Sequence, residues 1–425
     1  MKSHKLIILS LLFVVLPSLS LAERILGVGL HVAQGKISAN DAQFFMRVAN
    51  VNSFRDELYW SHLERRKGML NIPDSQIETD NLFQNGLAHG YTPLLVLDYG
   101  NINYGGGLPS SEAAISAFSK YCAFVSARYV GRIGFYEIWN EWNAGMGTKE
   151  SPRLKGSPNG YVELAKSCAN EIRKNDPNAK ILVGATAGYD SAWTSTVLKL
   201  GLMDIADGFS VHPYVFGHHI GKEPERAVNF VSSLAAQLEG FGGKPIYITE
   251  MGWPTSTDRF GVPEDLSMAY LSRFLLGVMT IPTVKGVWIY ELLDGGAVKV
   301  NKESNFGLIR HDRSAKSSFL MVKRLSAVFR DGVVVESNYI APNIRRLIVD
   351  LGPDTRYSIF WRESPNAALP AQMPALHISL LAPSSPWSDS LMSSSVRFPF
   401  DVSQLGATPM IIKHSKSTAV GIDKN

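Results

Sequence analysis

The chain has 425 residues, of which 45% are hydrophobic and 19% are charged. This composition is typical of a globular protein and argues against a disordered chain or a coiled coil. The net charge of +4 is too small and too diffuse to indicate a nucleic-acid partner, although it would tolerate an acidic polysaccharide. The length accommodates one large α/β barrel and a smaller second domain.

Residues 1–22 have the pattern of a secretory signal peptide. Lys2 and Lys5 precede an apolar run from residue 6 to residue 16. Ser20-Leu21-Ala22 follows as a small-residue cleavage site. An uncleaved membrane anchor is the competing interpretation, but the run is shorter than the roughly 20 residues that cross a bilayer. We therefore expect a periplasmic or secreted protein with no stable membrane span.

Two cysteines, Cys122 and Cys168, lie in predicted helices that follow consecutive strands. A disulfide between these neighbouring helices would suit an oxidising compartment, and two buried free thiols are about equally consistent with the sequence. The spacing of the cysteines resembles no metal-binding pattern, and we expect neither a metal ion nor another cofactor.

Eight runs with the character of buried strands alternate with amphipathic helical segments before residue 300. Eight such units fit a closed (β/α)8 TIM barrel over residues 23–328 better than an open doubly wound sheet. The predicted strands are Ile25–Val32, Val51–Leu58, Pro93–Tyr99, Ile133–Asn140, Lys180–Ala185, Gly208–Tyr214, Pro245–Thr249 and Gly286–Leu292. The clearest helical segments are Glu112–Tyr129, Gly160–Asn175, Pro224–Leu238 and Pro263–Met279.

Residues 329–415 form a different pattern, in which short β-rich runs are separated by Gly, Pro and Ser. We predict a small antiparallel β domain there, serving either as structural packing or in carbohydrate binding, followed by a loose tail at residues 416–425. The predicted strands are Val333–Glu336, Ile344–Leu351, Tyr357–Trp361, Ala375–Leu381, Val396–Phe400 and Met410–Lys413, with a turn at residues 382–386.

Two glutamates stand at the ends of predicted barrel strands. Glu141 ends the apolar run of the fourth strand, and Glu250 ends that of the seventh. In a TIM barrel the active site lies at the face where the strands end. Two carboxyl groups at that face can act as the acid and the nucleophile that cleave a glycosidic bond. The sequence therefore predicts an O-glycoside hydrolase with Glu141 and Glu250 as its catalytic pair.

Glu137 is a third acid on the same predicted strand. Strand alternation directs Glu137, Trp139 and Glu141 to one side. At about 3.3 Å per residue, Glu137 would lie roughly 13 Å deeper than Glu141, among the packed layers of the barrel. We therefore expect a structural acid that is paired with an arginine or a backbone donor.

Other residues at strand ends are candidates for supporting the catalytic pair. Arg55, with Tyr214 or His212, would keep the nucleophile ionised through hydrogen bonds. Asn140 would bind a sugar hydroxyl beside the reacting carbon. A structural histidine remains an alternative at position 212, and the loop pair at positions 218 and 219 is expected to be solvated. The further candidates for substrate contact are His31 and three tryptophans that either stack on sugar rings or pack in the core, Trp142, Trp253 and Trp288.

The motifs Ile138-Trp139-Asn140-Glu141 and Ile248-Thr249-Glu250-Met251-Gly252-Trp253 resemble the two catalytic signatures of the clan A glycoside hydrolases. Stretches 54–68 and 306–309 resemble further parts of that clan, so the resemblance covers residues 25 to 327. It is closest to family 39 and its relatives, including secreted endoglycosidases encoded beside bacterial exopolysaccharide genes. A departure is Trp142, which stands where the clan commonly has proline.

The resemblance implies a retaining mechanism with Glu141 as acid/base and Glu250 as nucleophile, supported by the residues at positions 55, 140 and 214. We expect a secreted or periplasmic, monomeric enzyme that is endo-acting on a bacterial exopolysaccharide. An exo-acting glycosidase and a non-catalytic polysaccharide-binding protein are the alternatives. The loop Gly145–Asn159 would either close a pocket or line a groove, and so bears on the choice between exo and endo action.

Overall fold

The computed structural model describes residues 24–148, 154–217, 221–363, 376–380, 396–400 and 405–416. The predicted signal peptide, the histidine pair at positions 218 and 219, the turn at residues 382–386 and residues 417–425 lie outside the described residues.

Eight parallel strands close into a barrel in which each strand pairs with the next along the chain and the eighth pairs with the first. The predicted TIM barrel is confirmed. The strands are β1 (Ile25–Gly29), β2 (Ser53–Glu57), β3 (Thr92–Leu97), β4 (Phe135–Ile138), β5 (Lys180–Ala187), β6 (Gly208–His212), β7 (Ile246–Met251) and β8 (Val284–Ile289).

Helices on the outside of the barrel connect the strands. Several begin at a side chain that caps the first turn, as where the Ser111 hydroxyl accepts from the Ala114 N–H and the Ser157 hydroxyl accepts from the Gly160 N–H. The helices are α1 (Ala39–Ala49), α2 (Trp60–Leu63), α3 (Ile77–Asn85), α4 (Glu112–Arg128), α5 (Pro158–Asn175), α6 (Ser191–Lys199), α7 (Pro224–Glu239), α8 (Glu264–Val278) and α9 (Ser317–Asp331).

The alternation of side chains along the strands divides the apolar core into two parts. Leu94 and Val96 of β3 point into the barrel, whereas Leu95 and Leu97 pack between the strands and the helices. Trp288 fills the barrel interior beside Gly27, where a Cβ atom would lie 2.2 Å from the indole ring. The interior below the strand ends is therefore a packed core, which leaves chemistry to the residues at the mouth.

A second sheet follows the barrel. Its four antiparallel strands lie in the order β14-β11-β10-β9, and β12 and β13 form a separate pair. The predicted β-rich runs are confirmed as β9 (Val333–Ala341), β10 (Ile344–Leu351), β11 (Thr355–Arg362), β12 (Leu376–Leu380), β13 (Val396–Phe400) and β14 (Met410–Ser415).

Buried contacts join this sheet to the barrel. Leu347, Val349 and Trp361 belong to the same apolar core as the barrel helices. Arg273 of α8, which is 1% exposed, donates to the Glu363 carbonyl and also pairs with Glu225. The sheet therefore packs against the outer helices of the barrel.

Within the described part of the chain, no helix combines the length and the apolar character that a membrane span requires.

Cys122 of α4 and Cys168 of α5 form a disulfide with their Cα atoms 5.5 Å apart. Both side chains are fully buried between the two helices. The structure therefore decides between the two alternatives in favour of the disulfide, which closes a loop across the third and fourth βα units.

We expect replacement of both cysteines by serine to lower the free energy of unfolding by about 2–4 kcal/mol, because the 46-residue separation no longer restricts the unfolded chain. Urea denaturation with and without a reducing agent measures this loss. The double variant serves as the control, since its stability should not respond to the reducing agent. Equal stability of the oxidised wild type and the variant would contradict the prediction.

Candidate active site

Glu141 and Glu250 line one cavity of about 570 Å³ at the face of the barrel where the strands end. Their side chains are 15% and 12% exposed, so both acids are largely withdrawn from water yet open to a ligand. The cavity volume is typical of a small-molecule site. The other residues that line it are His31, Gln34, Glu57, Tyr59, Tyr99, Asn140, Met146, Tyr214, Phe216, Tyr290, Lys302, Glu303 and Phe306.

The backbone after β4 sets the direction of Glu141. The strand ends at Ile138, and Trp139 and Glu141 adopt left-handed φ angles of 68° and 49°. The Glu141 N–H then donates to the Ala185 carbonyl at 2.8 Å. Such angles in non-glycine residues cost on the order of 1 kcal/mol each and concentrate at functional sites.

These two left-handed residues overturn the expectation that Glu137, Trp139 and Glu141 point to the same side. Trp139 instead packs outside the barrel, with its ring centroid 5.7 Å from that of Phe118 and 5.1 Å from that of Trp142. Strand alternation ends where the strand ends, and the prediction extended it three residues too far.

Arg55 connects the acids of the site from below. It is 3% exposed, and its Nε donates to Glu137 at 2.8 Å while its Nη1 donates to Glu250 at 2.7 Å. Its Nη2 donates to the Asn140 side-chain oxygen at 2.9 Å. Although burial opposes the charged guanidinium, the two carboxylates outweigh burial and hold the pKa of Arg55 well above its ordinary value. Glu137 is fully buried and paired with an arginine, as we expected of a structural acid.

His212 lies between the two acids of the cavity. Its Nδ1 is 3.0 Å from Glu141 Oε1 and 3.7 Å from Glu250 Oε2, and its Nε2 is 3.0 Å from the Thr249 hydroxyl. Burial disfavours the imidazolium, but the two carboxylates outweigh burial and raise the pKa of His212. The histidine therefore contacts the acid pair directly and is more than a remote structural residue.

Glu250 is held from both sides. Arg55 binds one carboxylate oxygen, and the Tyr214 hydroxyl donates to the other at 3.1 Å. Burial nevertheless raises the pKa of Glu250, because removal from water and the nearby Glu141 outweigh His212 and Arg55. Tyr214 remains a hydrogen-bond donor, since burial and the charge of Glu250 hold the pKa of its phenol well above the ordinary value.

Asn140 and His31 both line the cavity. The Asn140 amide donates to the Tyr99 hydroxyl at 2.8 Å, which fixes its orientation above Arg55. Burial lowers the pKa of His31 to about 4, so its ring is neutral. One nitrogen of that ring lies 3.1 Å from Glu291, a buried acid whose pKa burial raises to about 8.

The three tryptophans lie outside this cavity. Trp288 donates to the Ser53 hydroxyl inside the barrel, and Trp253 packs against the ring of Phe274 behind β7. Trp142 is 2% exposed, packs on Tyr161 and borders a neighbouring cavity of about 690 Å³. Trp253 and Trp288 therefore pack in the core and do not stack on a sugar ring, because buried indole faces cannot contact a ligand.

Several lining residues were not among the predicted site residues. Besides Tyr214, the aromatic residues that line the cavity are Tyr59, Tyr99, Phe216, Tyr290 and Phe306. Glu57 is the last residue of β2, so the rule that selected the other strand ends also applied to it. Tyr59 and Phe216 lie in loops beyond the strands, and only the folded chain brings them to the cavity.

A metal ion is one group that such an arrangement could hold. Glu141, His212 and Glu250 each offer a ligand atom, and these atoms lie within 4.8 Å of one another. The guanidinium of Arg55 already neutralises Glu250, and its fixed positive charge opposes a second cation at that carboxylate. The geometry therefore favours an acid pair that acts without a metal.

A closed parallel barrel with two carboxyl groups facing one cavity at its strand ends defines the class of a barrel glycoside hydrolase. The model of the family "Cellulase (glycosyl hydrolase family 5)" matches residues 23–274, more than half of the chain. The chain therefore belongs to this glycoside hydrolase family, and the predicted resemblance to clan A is confirmed.

A curated fungal protein resembles part of the chain. A probable glucan endo-1,3-beta-glucosidase (eglC) from Aspergillus fumigatus is 28% identical over 175 residues, which is 40% of this chain and 37% of that protein. The chain thus spans well under half the length of this curated relative.

Solved structures share the fold. A family 39 glycoside hydrolase from Bacteroides cellulosilyticus WH2 matches with a TM-score of 0.70 at 20% identity, covering 94% of this chain and 83% of that one. A GH5_18 protein from Bifidobacterium longum subsp. infantis matches with a TM-score of 0.59 at 12% identity, covering 73% and 80%. Family 39, to which the motifs pointed, is thus among the neighbours in fold.

We expect Arg55→Met to lower the free energy of unfolding at neutral pH by about 3–5 kcal/mol, because it leaves buried carboxylates without their cation. Urea denaturation measures this change. The control is Arg55→Met combined with Glu137→Gln, which removes one of the unpaired charges and should recover part of the loss. A loss below about 1 kcal/mol in the single variant would show that the pair contributes little.

Proposed function

We propose that this protein is a secreted or periplasmic, retaining glycoside hydrolase that cleaves a polysaccharide at its internal glycosidic bonds. Glu250 is the nucleophile and Glu141 is the general acid and base. The observation that carries the proposal is the approach of Glu141 and Glu250 within one cavity, with oxygen atoms no more than 4.8 Å apart.

The separation of the acids favours retention over inversion. Retaining enzymes place their carboxyl groups about 5–5.5 Å apart, whereas inverting enzymes need about 6.5–9.5 Å to admit a water molecule between the acid and the sugar. One oxygen of Glu141 and one of Glu250 lie within 4.8 Å of each other, which is closer to the retaining distance than to the inverting one. A direct attack by one carboxylate on the anomeric carbon is therefore the better fit.

The contacts of Glu250 suit it to attack. Arg55 and Tyr214 stabilise its ionised form by hydrogen bonds to separate oxygens, which offsets part of the penalty of burial. In the first step a Glu250 oxygen bonds to the anomeric carbon while the bond from that carbon to the leaving oxygen breaks. The leaving oxygen takes its proton from Glu141.

Glu141 reverses its role in the second step. A water molecule attacks the anomeric carbon, gives a proton to Glu141, and displaces the Glu250 oxygen, which restores both acids. His212, at 3.0 Å from Glu141, orients this carboxyl group. Asn140, fixed by Arg55 and Tyr99, is placed to hydrogen-bond a hydroxyl of the reacting sugar.

Two features favour a polymeric substrate cleaved internally. The matched fungal relative carries the name of an endo-acting glucanase. A second cavity of about 690 Å³ begins at Gly100, Trp142 and Gly147, each next in the chain to a residue that lines the first cavity. The two cavities together provide a surface that is long enough for several sugar rings. Residues 149–153 of the loop expected to bear on endo or exo action lie outside the described residues. A bacterial exopolysaccharide remains our proposed natural substrate.

The disulfide supports export. Disulfides persist in oxidising compartments and are rare in the cytosol, and Cys122–Cys168 is buried between two helices. It accords with the predicted signal peptide at residues 1–22.

We expect Glu250→Gln to lower the release of reducing ends by a factor on the order of 10³ or more, because the amide cannot attack. The measurement compares wild type and variant on a panel of bacterial exopolysaccharides, β-1,3-glucan and plant polysaccharides, with product sizes read by chromatography. Glu225→Gln, an acid on the outer helix α7, is the matched control. Binding of a polymer without cleavage by the wild type would instead favour a binding protein, and release of single sugars alone would favour an exo-acting enzyme.

The pH profile tests the role of Glu250. Because burial raises its pKa, kcat/KM of the wild type should fall on the acid side at a pH above that of an ordinary glutamate, where the carboxylate becomes protonated. In Tyr214→Phe the carboxylate loses a donor, its pKa rises further, and the acid limb should move up by roughly 1 pH unit. Tyr290→Phe is the control, and the acid limb of its profile should stay at the pH of the wild type. An unshifted limb in Tyr214→Phe would mean that another group controls it.

A further inference from the structure

Glu57 is an acid in the cavity for which the proposed reaction has no use. It ends β2 and is 6% exposed, and it lines the same cavity as the two catalytic candidates. The Tyr59 hydroxyl donates to its Oε2 at 2.6 Å, and the Gln34 amide donates to the same atom at 3.2 Å. These two bonds fix the carboxylate against the wall, and within the described part of the chain no residue donates to Oε1.

Glu57 is charged when the cavity is empty. Burial by itself favours the neutral acid, but its other partners, among them the Tyr59 hydroxyl and the Arg55 charge, outweigh burial and lower the pKa of Glu57. Its Oε1 is not sealed inside the protein, so it can accept a hydrogen bond from a donor in the cavity. A ligand with an O–H or N–H at that point would supply the missing bond.

The cations near the cavity are already engaged. All three nitrogen atoms of Arg55 donate to Glu137, Glu250 and Asn140. Lys302 pairs with Glu303 and lies over the ring of Phe216. The ring of His31 is neutral because burial lowers its pKa to about 4. Among the described residues that line the cavity, four are glutamates, at positions 57, 141, 250 and 303, whereas Lys302 is the one lysine and is paired with one of them.

We propose that Glu57 sets the substrate class of the cavity by accepting a hydrogen bond from a hydroxyl or ammonium group of the bound sugar and by excluding uronic acids. This inference rests on the proposed function, since it assumes that a sugar occupies the cavity. The net charge of +4 by itself would tolerate an acidic polymer, but the proposed role of Glu57 excludes an acidic sugar from the cavity. The charge inside the cavity, rather than that of the whole chain, meets the substrate.

The test separates recognition from cleavage by using Glu250→Gln as the background. Oligosaccharides of one backbone are prepared in three forms that differ only at C6, with the neutral hydroxymethyl group, a carboxylate or an aminomethyl group. Backbones from each polymer of the panel are compared by calorimetry at fixed ionic strength. We expect the neutral and amino forms to bind at least about tenfold more tightly than the carboxylate form.

Variants of Glu57 identify the group responsible. Adding Glu57→Gln should reduce this discrimination about tenfold, because the negative charge is gone. Glu57→Asp keeps the charge but shortens the side chain, so exclusion of the carboxylate form should persist while binding of the neutral form weakens. Glu239→Gln, which removes an exposed carboxylate at the end of the outer helix α7, is the matched control, and the discrimination should change by less than about threefold. Thermal unfolding verifies that each variant is folded.

Equal binding of neutral and carboxylate forms would overturn the inference, and so would discrimination that Glu57→Gln leaves unchanged. Failure of every form of every backbone to bind would also overturn it. The proposed function fails in a different way, namely if wild type cleaves none of the backbones that the Glu250→Gln variant binds. Equal cleavage of neutral and carboxylate forms would refute the role of Glu57 while leaving the hydrolase intact.

Discussion

The site depends on one guanidinium group that holds several carboxyl groups together away from water. Arg55 donates to Glu137 beneath the cavity and to Glu250 at its floor. Separately, each of these buried charges would carry a penalty of several kcal/mol. Placed around one permanent cation, they allow a carboxylate to stay ionised in a cavity that excludes most water. The ionised carboxylate of Glu250 and the orientation of Asn140 both follow from this arrangement of charge.

The barrel supplies this arrangement because its parallel strands deliver their ends to a single face. Arg55 comes from β2, His212 from β6 and Glu250 from β7, and none is near another in the sequence. Glu141 requires one more device, since β4 ends three residues before it and two left-handed residues turn it into the cavity. The fold thus fixes the positions of Arg55, His212 and Glu250, and the left-handed backbone after β4 directs Glu141 into the cavity.

Aromatic residues divide between support and recognition. Tryptophans at positions 139, 142, 253 and 288 are buried and fix the walls from behind. Smaller rings, among them Tyr59, Tyr99 and Phe306, face the cavity. A tyrosine at this surface presents both an apolar face and a hydroxyl to a sugar, and it can also orient an acid, as Tyr59 does for Glu57.

The sequence by itself determined the barrel, its eight strands, the second sheet and the positions of Glu141, Glu250 and Arg55, because strand periodicity and the strand-end rule are local patterns. Tertiary structure decided what depends on long-range contact. The left-handed turns after Ile138 sent Trp139 outward, and packing kept Trp253 and Trp288 in the core. The pairing of the two cysteines likewise depends on neighbours distant in the chain. Residue type and spacing can state which groups reach the mouth of a barrel, whereas the direction of each side chain is set by the atoms packed around it.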